Sequence, residues 1–200
     1  MTQYGTSSTR LAWRFSLAPR WAGGFTAIEL MVTVAIMAVL MALAAPSFTP
    51  LIEGWRVRQA AEQLQSSLYY ARSEAIKRGG QVVVEKLPNN TNGCTTASTT
   101  ASWGCGWFVC HDLNDNGSCE STETVLQRYD TPSQIEVQRT SSSGATIKLN
   151  RWGLVSGTWV GFNLTPKGKS ISNTSARGVC MSSGGRVHII PSEKLPCTAS

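Results

Sequence analysis

The sequence is poor in the residues on which most catalytic and metal sites depend. It contains only two histidines, His111 and His188, and no two of its six cysteines have the two-residue spacing of a zinc knuckle. It also lacks a Gly-x-Ser-x-Gly element and a glycine-rich nucleotide loop. Scattered carboxylates without a histidine-rich cluster do not make a catalytic centre. We therefore expect a protein that is not an enzyme and that carries no cofactor.

Acidic residues are absent from the first 28 positions, where the charged side chains are Arg10, Arg14 and Arg20. The apolar run from Phe25 to Ala45 follows, and as a helix it would rise about 31 Å, enough to cross a hydrocarbon core. The sequence has no second run of this kind. The arginines predict that the N-terminal end is held in the cytoplasm, and the remaining chain is then expected outside it.

Two glycines precede the apolar run, whereas a secretory signal is cut after its apolar core. Cutting between Gly24 and Phe25 would leave the apolar segment at the new N-terminus, with Glu29 as its fifth residue. The sequence Gly-Phe-Thr-Ala-Ile-Glu-Leu resembles the class III leader of type IV pilins and pseudopilins. That resemblance implies cleavage after Gly24 by a prepilin peptidase and N-methylation of Phe25. The alternative is a plain N-terminal anchor with an incidental glutamate.

Placing a carboxylate in an apolar membrane segment costs free energy. We therefore expect Glu29 to have a function and a partner of opposite charge. The new amine of Phe25, in the same chain or a neighbouring subunit, would neutralise Glu29 and fix axial register in a helix bundle. The resemblance implies the same role in assembly.

A long helix is predicted to continue beyond Pro46 and Pro50, which should kink or locally open it. Its apolar residues then recur in steps of four and three and indicate one face that packs on a sheet. This stripe comprises Val57, Ala61, Leu64, Leu68, Ala71 and Ala75. The basic residue and glycines of Arg78-Gly79-Gly80 predict the helix end.

Eight short strands are predicted after the helix, separated by glycine, serine and asparagine turns. They are Gln81–Leu87, Gly106–His111, Thr124–Tyr129, Ile135–Gln138, Ala145–Leu149, Trp159–Leu164, Gly178–Ser182 and Val187–Ile190. We expect the second and third to form a hairpin. Strands that follow one helix, without alternating with others, indicate an α+β domain with antiparallel sheets.

Several strand and turn sequences resemble the GspH/FimT branch of pilin-like proteins: Gly106-Trp107-Phe108-Val109, Phe162 through Pro166-Lys167-Gly168, and Gly185-Arg186-Val187. Members of this branch are minor pilins or minor pseudopilins. The resemblance implies a pilin fold with four parts: a leader at 1–24, a transmembrane half-helix at 25–45, an amphipathic half-helix at 46–80 and a β-rich domain at 81–200. Cys110, His111 and the loop Asn89–Cys105 depart from the branch pattern.

All six cysteines fall in the part expected outside the cytoplasm, where an even number favours disulfides. The favoured bridge is Cys180–Cys197, because it would tie the C-terminal tail to the last strand pair. The other four permit three pairings, of which Cys94–Cys105 with Cys110–Cys119 is preferred.

Residues Asp112, Asn114, Asn116, Gly117 and Glu123 have the spacing of a twelve-residue calcium loop. The flanking segments are predicted strands, not the helices of an EF-hand, and Asp-Asn-Gly is also a strong turn sequence. The favoured interpretation is a tight turn, with calcium as the alternative.

Charge is divided unevenly along the chain. Residues 79–138 hold two basic and seven acidic side chains, whereas residues 139–200 hold eight basic and one acidic. A basic face attracts polyanions. Gly185-Arg186-Val187-His188 resembles the Gly-Arg-x-Arg element of DNA-binding FimT pilins, with His188 in place of the second arginine. The DNA-binding candidates are Lys167, Lys169, Arg177, Arg186 and His188. Trp152 and Trp159 could stack on bases, although core positions are the more usual place for such residues.

The resemblance implies a minor type IV pilin that initiates or caps a pilus, with roles in twitching, adhesion or DNA uptake. Its expected partners are other minor and major pilins, the prepilin peptidase and the inner membrane, with the domain in the periplasm before assembly. DNA is a further candidate partner. The alternatives are a DNA-binding competence pilin and a minor pseudopilin of type II secretion.

Overall fold

A computed structural model of the chain describes residues 24–141, 144–157 and 159–198. The first described element is helix α1, Ala27–Arg78. By contacts the chain divides into two compact units, with the boundary after Ala44, so α1 contributes to both. The predicted leader, apart from Gly24, lies outside the described residues.

The first unit contains the apolar start of α1. Residues Ala27–Ala44 form one helix segment that is long and apolar enough to cross a membrane. None of this segment is buried within the protein. Exposed side chains include Leu30, Met37 and Leu43, the last with 73% of its surface accessible. Water would oppose such exposure at about 25 cal/mol per Å², so the segment requires an apolar environment.

The second unit contains the rest of α1 and all the strands. Eight strands follow the helix: β1 Val82–Lys86, β2 Gly106–His111, β3 Thr124–Asp130, β4 Ile135–Arg139, β5 Thr146–Leu149, β6 Val160–Pro166, β7 Arg177–Met181 and β8 Val187–Pro191. Short 3-10 turns at Thr91–Gly93 and Ser192–Lys194 complete the described regular structure. The eight strands lie where the sequence predicts them, with ends that differ by at most two residues.

The strands form two antiparallel sheets, in the orders β3-β2-β1-β5 and β4-β6-β7-β8. The predicted hairpin of β2 and β3 is confirmed, and its register shifts at a bulge between Val109 and Cys110. One core contains side chains from α1 and from both sheets, including Trp107 and Ile147 of the first sheet and Phe162 of the second. These findings confirm the predicted α+β architecture, in which a long helix packs on antiparallel strands.

The predicted stripe of α1 is entirely buried, and Ala60 joins it. Small side chains at four of these positions let the sheets approach the helix closely, while Leu64 and Leu68 fill the core. The helix ends at Arg78 as predicted; Gly79 and Gly80 both have positive φ, and the Gly80 amide donates to the Ala75 carbonyl at 2.8 Å. Of the predicted kink or local opening at the prolines, the opening is not found, because the helix is uninterrupted through residues 46–50; the kink stays a prediction.

Candidate assembly site and domain surface

Glu29 lies at the first turn of α1 and closes a capping box with Thr26. One carboxylate oxygen, Oε2, accepts hydrogen bonds from the backbone N–H and the hydroxyl of Thr26, both at 2.8 Å. In return, the Thr26 hydroxyl oxygen accepts the Glu29 amide at 3.3 Å. This reciprocal arrangement satisfies amides that a helix start leaves unpaired. Glu29 thus has a local capping role that the sequence interpretation missed, although the Thr-x-x-Glu spacing signals it.

The residues predicted at the processing point are accessible. Gly24 is the first described residue and is exposed, and the Phe25 side chain is 89% exposed. From Phe25 to Ile52, Glu29 is the only charged residue in the sequence. The described N-terminal surface is therefore an apolar helix that carries a single carboxylate at its start.

The β2–β3 loop directs its carboxylate and amide oxygens at its own backbone. The buried Asp112 carboxylate accepts the amides of Asn116 and Gly117 at 3.0 and 2.8 Å. Glu123 accepts the amides of Leu113 at 2.7 Å and Glu120 at 3.0 Å. The pKa of Glu123 is lowered, chiefly because its carboxylate accepts the Glu120 amide. Burial opposes this shift, and the bond from the Leu113 amide adds to it.

These bonds form the favoured tight turn. Asn114 and Asn116 add two further bonds, because each side-chain oxygen accepts the amide two residues ahead. Among the described residues, no group of three or more His, Cys, Asp or Glu side chains is placed to hold a metal.

Three disulfides join the favoured pairs, Cys94–Cys105, Cys110–Cys119 and Cys180–Cys197. The first closes the loop after β1, and the second anchors the β2–β3 loop to β2. The third ties the C-terminal tail to β7.

Lys86 organises the loop that the first disulfide closes, a role that sequence reasoning missed. Its ammonium donates to the carbonyls of Ala97, Thr99 and Ser102 at 2.7, 2.6 and 3.1 Å. Burial lowers the pKa of Lys86. A polar residue at the end of a strand gives no sequence signal for such contacts, because they depend on how the following loop folds back on the strand.

The same loop covers the outer edge of β4. The Trp103 amide donates to the Val137 carbonyl at 2.7 Å, and the Arg139 amide donates to the Ala101 carbonyl at 2.8 Å. Lys86 belongs to the first sheet and β4 to the second, so the loop connects the two sheets. It also satisfies an edge that would otherwise be free to pair with another chain.

The basic residues of the C-terminal third do not form one face. Arg139 is buried, and its Nη1 donates to the carbonyls of Gly144 and Thr146 at 2.9 and 2.7 Å. Lys148 forms a 2.9 Å ion pair with Asp115. These contacts correct the expectation of a continuous basic surface, since two of its eight charges stabilise the domain internally.

The DNA-binding candidates are also separated. Arg177 begins β7 opposite Pro191, and exposed Lys167 and Lys169 follow the end of β6. Arg186 lies in the turn at the other end of β7. His188 lies within β8, opposite Cys180 of β7. The structure thus brings Lys167, Lys169 and Arg177 to one end of the sheet but not Arg186 or His188. DNA binding stays a prediction.

The turn that carries Arg186 is attached to α1. Arg72 donates to the Gly185 carbonyl at 2.7 Å, and Gln65 and Tyr69 both donate to the Val187 carbonyl. The Gly185-Arg186-Val187 sequence therefore has a structural role in docking β8 on the helix.

The tryptophan expectation was wrong for one residue. Trp152 is 64% exposed, and the guanidinium of Arg151 lies 5.2 Å from its ring centroid. Trp159 is half-buried. Within the described part of the chain, the tryptophans that fill the core are Trp103 and Trp107.

Known proteins are similar to this chain in sequence and in fold. The sequence model of one protein family, described as type II transport protein GspH, matches residues 60–185, which is more than half of the chain. Two Pseudomonas aeruginosa proteins, each described as a fimbrial protein, are 37% identical over 105 residues. That match covers 51% of this chain and 67% of each relative.

The fold resembles two crystal structures of the type IV minor pilin FimU of Pseudomonas aeruginosa strain PAO1. In one crystal form the TM-score is 0.52 at 23% identity, covering 72% of this chain and 99% of FimU. In the other it is 0.54 at 22% identity, covering 72% and 95%. The apolar helix and the two-sheet domain agree with this family, and the chain therefore belongs to the GspH family of minor pilin-like proteins.

Proposed function

We propose that this protein is a minor type IV pilin that initiates or caps pilus assembly. It is made as a prepilin in the inner membrane with its β domain in the periplasm, cut after Gly24 by a prepilin peptidase, and methylated at Phe25. It then joins other minor and major pilins. The proposal rests mainly on one observation: the apolar start of α1 is exposed and carries Glu29 as its single charge, in a chain that belongs to this family.

The physical argument concerns where that helix is stable. The apolar side chains from Phe25 to Leu43 are exposed within their unit, and lipid or the apolar core of a filament can cover them. Moving the helix from lipid into the filament changes its hydrophobic free energy little, because both environments are apolar. A specific attraction must therefore favour the filament, and an ion pair between Glu29 and the amine of Phe25 in a neighbouring subunit supplies it.

The capping box requires that the test separate the charge of Glu29 from its hydrogen bonds. Glu29→Gln keeps an oxygen that can accept from Thr26 but removes the charge, and Glu29→Ala removes both. Thr26→Ala leaves the charge and removes the hydroxyl of the cap. Processing after Gly24 is measured by mass spectrometry of the mature chain, and incorporation by immunoblotting of sheared pili.

All three variants should be processed. Thr26→Ala should still enter pili, whereas Glu29→Gln and Glu29→Ala should both remain in the membrane. Normal incorporation of Glu29→Gln would overturn the assembly role of the charge. A mature chain that retains residues 1–24 in cells with active peptidase would overturn the proposal as a whole.

A minor pseudopilin of type II secretion is the second candidate, because the matching family model is described as a type II transport protein. Deleting the gene distinguishes the two. Loss of surface pili with normal protein secretion supports the pilus, and loss of secretion with normal pili supports the pseudopilin.

A further inference from the structure

An unpartnered apolar stripe remains exposed on α1 after the membrane-length segment has ended. Phe48, Leu51, Ile52 and Trp55 recur at intervals of three, one and three residues, which places them on one side of the helix. Trp55 is 65% exposed and Leu51 67%. All four belong to the second unit, and the buried stripe begins only at Val57.

One cleft beside this stripe is basic. It has a volume of about 260 Å³ and lies between α1 and the loop before β7; its lining includes Leu51, Trp55, Arg58 and Arg177. The loop is fixed on the helix at Ser175, whose hydroxyl donates to the Pro50 carbonyl at 3.5 Å. Arg177 is held beside it, since its Nη1 donates to the carbonyls of Thr174 and Ala176 at 2.9 and 2.6 Å.

A second cleft, of about 270 Å³, is lined by other residues of the same helix turns and contains Arg56, Lys167 and one acid, Glu53. None of the four cations in the two clefts has a carboxylate partner within 4.0 Å in the part of the chain that the structure describes. This contrasts with Arg128 and Lys148 elsewhere in the domain, which are paired. The two clefts thus carry four unneutralised cations and one carboxylate beside an exposed tryptophan.

Chain connectivity limits where these clefts can be. From Phe25 to Ile52 the only charge is Glu29, and as a helix this run rises about 42 Å, more than the roughly 30 Å of a hydrocarbon core. The C-terminal end of the run, which contains Leu51, can therefore lie at the membrane interface. Tryptophan and lysine or arginine side chains are enriched at this level of a membrane, where the ring contacts acyl chains and the cation contacts headgroups.

We propose that the Arg58–Arg177 cleft and the adjoining stripe bind the headgroups of anionic phospholipids while the subunit is in the membrane. The inference rests on the membrane-anchored state of the proposed function. The guanidinium groups of Arg58 and Arg177 contact the lipid phosphate, and Trp55 and Leu51 contact the upper acyl chains. The lipid is displaced when the subunit enters a filament, so the site sets which lipids surround a subunit that awaits assembly.

The test uses the purified full chain in mixed micelles that contain phosphatidylglycerol or phosphatidylcholine with brominated acyl chains. Bromine quenches nearby tryptophan fluorescence, and subtracting the signal of Trp55→Phe isolates Trp55 from the other six tryptophans. We expect Trp55 to be quenched at a several-fold lower mole fraction of brominated phosphatidylglycerol than of brominated phosphatidylcholine.

Removing both cations should abolish that selectivity. In Arg58→Gln/Arg177→Gln, the several-fold preference for phosphatidylglycerol should fall to none. The matched control, Lys77→Gln/Arg151→Gln, removes one charge from the last turn of α1 and one from the turn after β5, which lies beside Gly80, and should keep the preference. Circular dichroism of each variant checks the fold.

Equal quenching by both lipids in the unmodified chain would overturn the proposal. So would a preference that survives Arg58→Gln/Arg177→Gln, or one that the control variant also loses. If micelle selectivity is absent while Arg58→Gln/Arg177→Gln is excluded from pili, the cleft binds an acidic surface of a neighbouring subunit, and the lipid proposal is wrong. The micelle measurement needs no filament, so it can fail while pilus assembly stands, and the reverse also holds.

Discussion

The guanidinium of Arg72 donates to the carbonyl oxygen of Gly185 at 2.7 Å and so joins the C-terminal part of α1 to the β7–β8 turn. Gly185 has φ +79°, and a β-carbon at this position would lie 2.8 Å from Cζ of Arg72. The turn therefore needs glycine for two reasons, its left-handed backbone and the close approach of the arginine. The neighbouring Gly184 has neither constraint, since the nearest atom to its added β-carbon is 3.9 Å away.

Gly185→Ala should lower the free energy of unfolding by about 1–3 kcal/mol, because the substitution adds both backbone strain and a clash with Arg72. Gly184→Ala is the matched control and should change it by less than about 0.5 kcal/mol. Urea unfolding followed by circular dichroism measures both. Equal effects of the two substitutions would show that the Arg72 contact does not constrain the turn.

Lys86→Met should loosen the loop that Cys94–Cys105 closes. Methionine preserves most of the side-chain length but leaves the carbonyls of Ala97, Thr99 and Ser102 without their shared donor. The expected loss of stability is about 1–3 kcal/mol. Hydrogen exchange of residues 97–103 should accelerate more than exchange of β6. If exchange rises evenly over the whole domain, the lysine supports the fold generally and not this loop.

Acid should weaken the β2–β3 loop through Glu123. Its pKa is lowered in the folded protein, chiefly by the Glu120 amide, so the carboxylate stabilises the fold at pH values above the unfolded pKa of about 4.3. That contribution is lost as pH falls through the folded pKa. The loss of stability between pH 6 and pH 3 should be smaller in Glu123→Gln than in the unmodified chain.

Glu193→Gln is the control for this pH dependence. Glu193 is exposed, and its carboxylate contacts only the hydroxyl of Ser192 among the described residues. Its pH profile should match that of the unmodified chain. If Glu123→Gln and the unmodified chain lose the same stability between pH 6 and pH 3, the ionised Glu123 carboxylate does not stabilise the loop.

The structural elements that follow from periodic patterns in the sequence were predicted and are confirmed. The stripe from Val57 to Ala75 is set by the 3.6-residue helical repeat, and each of its side chains is buried. The strands were found because apolar runs alternate with turn residues, and β6, buried along its whole length, is the most continuous of them. The Cys180–Cys197 pair followed from the expectation that the tail lies beside the last strands.

Hydrogen bonds and ion pairs of charged side chains could not be predicted in this way. Lys86 and Arg139 look like surface charges in the sequence, yet each donates to carbonyls that only the folded chain brings within reach. The basic third of the chain likewise predicted one face, but Asp115 neutralises Lys148, and Arg177 and Arg186 lie at opposite ends of β7. A count of charges along the chain carries no information about such distances.

By itself the sequence determined the helix, the strands, the apolar N-terminal segment and its one carboxylate, because each depends on residues near one another in the chain. Tertiary structure alone decided which charges are neutralised, which edge the disulfide loop covers, and that Arg58 and Arg177 share a cleft beside Trp55. The physical reason is that hydrogen bonds and ion pairs act over a few ångströms. Residues separated by more than one hundred positions reach that distance only after the sheets have packed on α1.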